Sequence, residues 1–239
     1  VLAFIVRRLV NLTFLLLFWL AVSKGNSELF GFRQIVAYFL VANAVEDLTF
    51  TSSGGWDKDF RRTIKYGLLS NYLIKPVPIL RFWYASYVGK RTVETIYGLV
   101  SLCAGLVLFP PSDIIAVPLF VISLVLTAIA GAGLTLLVGI VAFYSPEAGS
   151  ISNVIDHITH IFSGHLIPLS YFPTTIRTIA TFLPFPVLTY FPVSILQQGG
   201  LNADTFTKLG LSLFWTATLL FIGNLCWKKA IRNYDGVGI

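Results

Sequence analysis

The chain has 239 residues, of which 56% are hydrophobic and only 12% charged, and its mean hydropathy of +0.79 means more apolar surface than one water-soluble core of that length uses. Seventeen Lys and Arg against 11 Asp and Glu give a net charge of +6, but the basic residues fall between apolar runs, where positive-inside topology accounts for them and a nucleic-acid partner does not. Cys103 and Cys226 lie far apart in apolar runs without pairing or ligand spacing, which argues against disulfides and zinc frameworks.

An all-α polytopic membrane protein remains. Apolar runs of about 20 residues predict six transmembrane helices at about 1–22, 34–52, 92–109, 114–144, 150–169 and 208–227, in a single transmembrane domain over 1–239. The chain opens on Val1 and holds no Met, so a further N-terminal segment is expected. With the N-terminus cytoplasmic, thirteen basic residues fall inside and only Lys24, Arg33, Arg177 and Lys208 outside. Leaving out Arg7 and Arg8, which sit within the first run, keeps the same orientation.

Arg7 and Arg8 lie in the first expected span, Glu46 and Asp47 in the second. Measured from the outer ends, Arg8 and Glu46 reach the same depth, roughly 20 Å. Each unpaired carboxylate at mid-bilayer costs about 2.5–3.5 kcal/mol. Arg7 or Arg8 is therefore expected to pair with Glu46 or Asp47. Structural pairing is one use of these charges, and proton coupling or cargo binding is the other.

Between the second and third spans runs "DKDFRRTIKYGLLSNYLIKP". Phe60, Ile64, Leu68 and Leu69 recur at helical spacing while Arg61, Arg62 and Lys65 fill the other face. The pattern predicts an amphipathic surface helix over about 57–74, stopped by Lys75-Pro76-Val77-Pro78. Such a helix either lies on anionic headgroups or docks a cytosolic protein.

The third and fourth spans are joined by a tight turn over 109–113. In the fourth, Ala128 with Ala132, and Gly131, Thr135 and Gly139, recur every four residues and permit close helix approach, either within the chain or to a second copy. The fifth reads "SNVIDHITHIFSGH", with Asn153, Asp156, His157 and His160 facing either the dimer interior or a hydrated path. Asp156 and His160 share a helix face, but no third strong ligand stands nearby and His165 is more than a turn further on, so no metal is expected. Ser163-Gly164-His165 lacks an acid and an oxyanion setting, and no catalytic residues are expected.

Five prolines, Pro168, Pro173, Pro184, Pro186 and Pro192, then interrupt an apolar, aromatic stretch. They predict two short helices at about 173–183 and 189–197. These form either a re-entrant hairpin over about 171–198 or an amphipathic outer loop. In both cases Tyr171, Phe172, Phe182, Phe185, Tyr190 and Phe191 are expected to form an aromatic layer near the outer headgroups.

"IKYGLLSNYLIKPVP" resembles the I-x-x-G-x-L-x-x-x-L-x-x-P segment of ABC-2 type transporter permeases. "LLVGIVAFYSPE", "FSGHLIPLSYFP", "LPFPVLTYFPVSILQQG" and "KKAIRNYDGVG" follow in the order of its branch of uncharacterised ABC-2 family transporters. The resemblance implies half of an ABC exporter in a bacterial or archaeal plasma membrane, with both termini cytoplasmic. It also implies a second permease, identical or related, and two copies of a cytosolic ABC ATPase subunit. This sequence has no G-x-x-x-x-G-K-[ST] loop, so ATP and Mg belong to the partner and no cofactor is expected in this chain.

Phe60, Arg61, Arg62, Ile64, Lys65, Gly67, Leu68 and Leu69 would form the coupling helix, its apolar members inserted in a cleft of the ATPase and its basic ones on an acidic rim. Asn153, Asp156, His157, His160, Phe172, Phe185 and Tyr190 are the candidate cargo path. The amphipathic elbow that the family carries before its first span is expected in the further N-terminal segment, and the polarity of the fifth span departs from the family pattern. Two alternatives stand beside this reading: a secondary transporter using Glu46 and Asp47 for ion coupling, and a non-transporting membrane scaffold or sensor.

Overall fold

The computed structural model describes residues 2–25, 31–49, 51, 56–111, 113–145 and 147–232. Val1, positions 50 and 52 of the second expected span, part of the 109–113 turn, Pro146 and the 233–238 end of the C-terminal motif lie outside them. Among the described residues all regular structure is helical. The elements are α1 (Leu2–Gly25), α2 (Phe32–Thr49), α3 (Trp56–Lys65), α4 (Ser70–Leu73), α5 (Ile79–Gly89), α6 (Thr92–Leu108), α7 (Ala116–Ile140), α8 (Ala148–Phe162), α9 (Thr174–Thr181), α10 (Tyr190–Gln198) and α11 (Ala203–Arg232).

Polarity is distributed as lipid demands. Phe14, Val107 and Phe221 are 70%, 77% and 65% exposed, while Asp47, Ser123 and Thr127 are fully buried. Ala116–Phe143 and Ala203–Arg232 are long and apolar enough to cross a membrane among the described residues. Ile79–Gly89 with Thr92–Leu108, bent by 61°, makes a third if taken as one span. α1 and α2 are 24 and 18 residues long, roughly 36 and 27 Å, but carry the Arg7, Arg8, Glu46 and Asp47 charges.

Two tight helix pairs build the body, α2 with α6 and α7 with α11. In the first, Gly98, Ser101 and Gly105 put a notched face of α6 against α2, where Ser101 Oγ donates to the Leu40 carbonyl at 2.8 Å. A Cβ on Gly105 would come within 2.8 Å of Val41 Cγ2. In the second, Gly133 faces Leu219 and Gly223 faces Leu136. Gly131 and Gly139 meet Thr51 and Phe60 of the same chain, so these small residues of α7 serve intrachain packing. Asn202 Oδ1 accepts from the Thr205 amide at 2.8 Å at the start of α11, and Lys229 and Arg232 complement the dipole at its end.

α7 also sets the distance between the two irregular ends. Phe120 packs with Val193 and Leu196 of α10, whereas Leu136 and Ile140 pack with Phe60 and Ile64 of α3. Sixteen to twenty residues of helix separate these groups, roughly 24–30 Å, close to one hydrocarbon thickness.

Several expectations are corrected. The helix expected over 57–74 is broken: α3 stops at Lys65, Gly67 turns the chain with φ 68°, and only α4 follows. A left-handed residue cannot sit inside an α-helix, and Gly is the residue that adopts it without cost. A helix absent from the sequence expectation, α5, follows Pro78 and bends into α6. The fifth expected span, 150–169, ends early, because Gly164 takes φ 85° directly after α8. Its fifteen residues span only about 22 Å. There the Tyr38 hydroxyl donates to the Gly164 carbonyl at 2.7 Å, and a Cβ on Gly164 would press on Tyr190 Cβ at 2.9 Å. The expected aromatic layer is divided: Phe182 is 61% exposed, but Phe191 is fully buried in a cluster with Val187, Leu188, Ala130 and Leu219. The helices expected at 173–183 and 189–197 correspond to α9 and α10.

Candidate functional site

α1 and α2 pack side by side, which brings residues 35 to 39 positions apart in sequence onto one guanidinium. Arg8 Nη1 donates to Glu46 Oε2 at 3.1 Å and to Asn43 Oδ1 at 3.5 Å, and Nη2 donates to Asp47 Oδ1. Side-chain exposure is 11% for Arg8, 6% for Glu46 and zero for Asp47, so one buried guanidinium serves two buried carboxylates. Of the pairings left open by sequence, Arg8 meets both acids.

His165 approaches the same cluster from the segment after α8, with Nε2 3.5 Å from Glu46 Oε2. The His160 and His165 rings stand edge to face, 5.4 Å between centroids. These groups open on a cavity of about 700 Å³, walled on its apolar side by Leu12, Phe14, Leu15 and Phe18 of α1 and on its polar side by Arg7, Arg8, Asn43, Arg91, Glu94 and His157 with Glu46, His160 and His165. It holds both signs of charge beside an apolar wall.

The expected cargo-path residues do not form one surface. His157 and His160 line this cavity, and Asp156 and His160 line a smaller one that shares Glu46, His160 and His165 with it. Asn153 is exposed and lines neither. Phe172 and Phe185 pack on Phe162, at 6.2 and 6.3 Å between centroids. Tyr190 borders a separate cavity of about 290 Å³ with Gln34, Tyr38, Ser170, Arg177 and Ser194. Sequence reasoning passed over Asn43, Arg91 and Glu94. Asn43 was legible, one helical turn before Glu46 and Asp47; Arg91 and Glu94 reach the cavity only through the packing of α6 on α2.

The second candidate surface is the α3–α4 end. Phe60 is fully buried, its ring 4.5 Å from Trp83 and 5.6 Å from Trp227, seated against Gly139. Ile64 and Leu69 are buried in the same cluster. The expectation that Phe60, Ile64 and Leu69 insert into a partner is therefore corrected: they fix α3 and the following turn to the bundle. What the turn and α4 leave outside is Tyr66, Leu68, Leu73 and Ile74, the last 84% exposed, with Arg62 and Lys65 also exposed beside them. Lys75 lies over the rings of Tyr72 and Phe82, 4.7 and 4.8 Å from their centroids. Arg61 is half-buried, and Gly67 supplies the turn that separates the anchored face from the exposed one.

A family model described as ABC-2 family transporter protein matches residues 9–238. No curated protein matches the chain.

Proposed function

Because the chain belongs to the ABC-2 family of transporter proteins, we propose that it is the permease half of an ATP-driven exporter whose hydrolysing subunit is a separate cytosolic chain. In this reading α1, α2, α6, α7, α8 with the segment after it, and α11 are the six spans, and α9 and α10 form the outer hairpin. The α3–α4 end faces the cytoplasm of a bacterial or archaeal cell, as do both termini. Two such permeases, identical or related, enclose the path, and two ATPase subunits bind ATP and Mg beneath them.

The observation that carries the proposal is the division of labour at the α3–α4 turn. A patch of Tyr66, Leu68, Leu73 and Ile74 with neighbouring basic side chains is presented to solvent, while Phe60 and Ile64 weld the same element to α7 and, through Trp227, to α11. A partner with an apolar cleft and an acidic rim matches that chemistry, and a push delivered there passes straight to the longest helices. The thirteen-to-four bias of basic residues supports the orientation.

The test is reconstitution with the ABC ATPase subunit that co-purifies with it. Leu68→Asp combined with Ile74→Asp should lower permease-stimulated hydrolysis at least about tenfold by putting two charges in an apolar contact, with thermal stability of the isolated permease unchanged. Undiminished stimulation would overturn the docking face. Transport that follows an ion gradient and ignores ATP would replace the exporter with a secondary transporter.

A further inference from the structure

The geometry points to a binding site for one divalent transition-metal ion of the zinc type between α2, α8 and the segment after α8, held by Glu46, His160 and His165. One ligand atom from each of the three lies within 4.8 Å of the other two. In sequence these residues are 114 and 5 positions apart, so only the fold assembles them. Two imidazoles and a carboxylate are the donor set that suits zinc and its neighbours. Around a tetrahedral ion with bonds of about 2.0–2.1 Å the donors stand roughly 3.3 Å apart, so each pair closes by at most about 1.5 Å.

Space and unmet polar atoms independently mark the same spot. A cavity of about 30 Å³ is walled by Glu46, His160 and His165 together with Asp156, Thr159 and Ser163, which gives room for one ion. His165 Nδ1 and Thr159 Oγ1 are buried there without a hydrogen-bond partner among the described residues. Buried polar atoms left unpaired are costly, and an ion with its bound water answers both.

Charge is the objection to meet, because Arg8 stands 3.1 Å from Glu46 Oε2. Its other amino group is held by Asp47, which offsets the guanidinium, and a carboxylate oxygen can accept from a guanidinium and bind a cation through separate lone pairs. Asp156, one turn before His160 on α8, adds a second negative group to the cavity wall, and a water completes four-coordination. A bound ion staples α2 to α8 beside the Arg8 cluster. The site does not rest on the transport reading, since uptake is measured on the permease alone.

Untagged permease in detergent, stripped with chelator, is titrated with zinc by calorimetry and its metal content measured after dialysis. One equivalent per chain is expected. His160→Ala and His165→Ala should each weaken uptake by at least about tenfold, while His157→Ala, outside the triad, keeps it. His160→Cys, which retains a zinc ligand, should hold the ion and so separate lost ligation from lost folding. No stoichiometric zinc in the parent, equal uptake in the alanine variants, or loss in His160→Cys as deep as in His160→Ala would overturn the site.

Discussion

Replacing Phe60 by Ala tests whether one ring anchors the α3 element. Phe60 is fully buried, stacks edge to face on Trp83 at 4.5 Å, lies 5.6 Å from Trp227, and occupies the notch at Gly139. Truncating a buried Phe costs about 3–5 kcal/mol. The remaining apolar anchors are Ile64 on α3 and Leu69 in the turn that follows. α2 with α6 does not include this ring among its contacts, so the loss falls on a local opening of α3 rather than on the whole bundle. At about 1.4 kcal/mol per factor of ten, amide exchange across α3 should quicken by about two to three and a half orders of magnitude. Hydrogen exchange read by mass spectrometry in lipid nanodiscs compares a peptide covering 58–69 with one covering α6. Unchanged protection in the first, or equal acceleration in both, would refute the idea that Phe60 is a local weld.

Arg8→Met should destabilise the protein by about 3–5 kcal/mol, because it strands Glu46 and Asp47 as buried charges; adding Glu46→Gln and Asp47→Asn should recover most of the loss, read as melting temperature in one detergent. Gly105→Ala, whose new methyl would sit 2.8 Å from Val41 Cγ2, should cost about 1–3 kcal/mol by overpacking. In the same melting assay Gly210→Ala, with nothing within 4 Å of its Cβ, should stabilise by up to about 1 kcal/mol. Gly164→Ala should cost more than the roughly 1–2 kcal/mol of a left-handed backbone alone, because it also drives a methyl to 2.9 Å from Tyr190 Cβ. A loss confined to that range would show that space around Gly164 is not limiting.

Composition and periodicity are local properties, and what they determine is local: helices and not strands, the bounds of the first four apolar runs to within a few residues, the two short helices among the prolines, and a basic segment between the second and third of those runs. Matching depth was enough to bring Arg8 to its acids, because two adjacent antiparallel helices of similar length leave little freedom in register. The tertiary structure decided which side of each amphipathic pattern is used. Helical spacing gives Phe60, Ile64 and Leu68 equal standing; only the notch at Gly139 and the Trp83 and Trp227 rings draw the first two inward and leave Leu68 outside. Likewise the two breaks that reshape the chain rest on Gly67 and Gly164 adopting positive φ, a freedom every glycine has and only the packing around it selects. His165, set aside in sequence for lying more than a turn beyond His160, reaches Glu46 because that second break folds it back. Distances along a chain say which residues can share a helix face; which faces meet is settled by contacts between residues a hundred positions apart, and those have no signature in any single stretch.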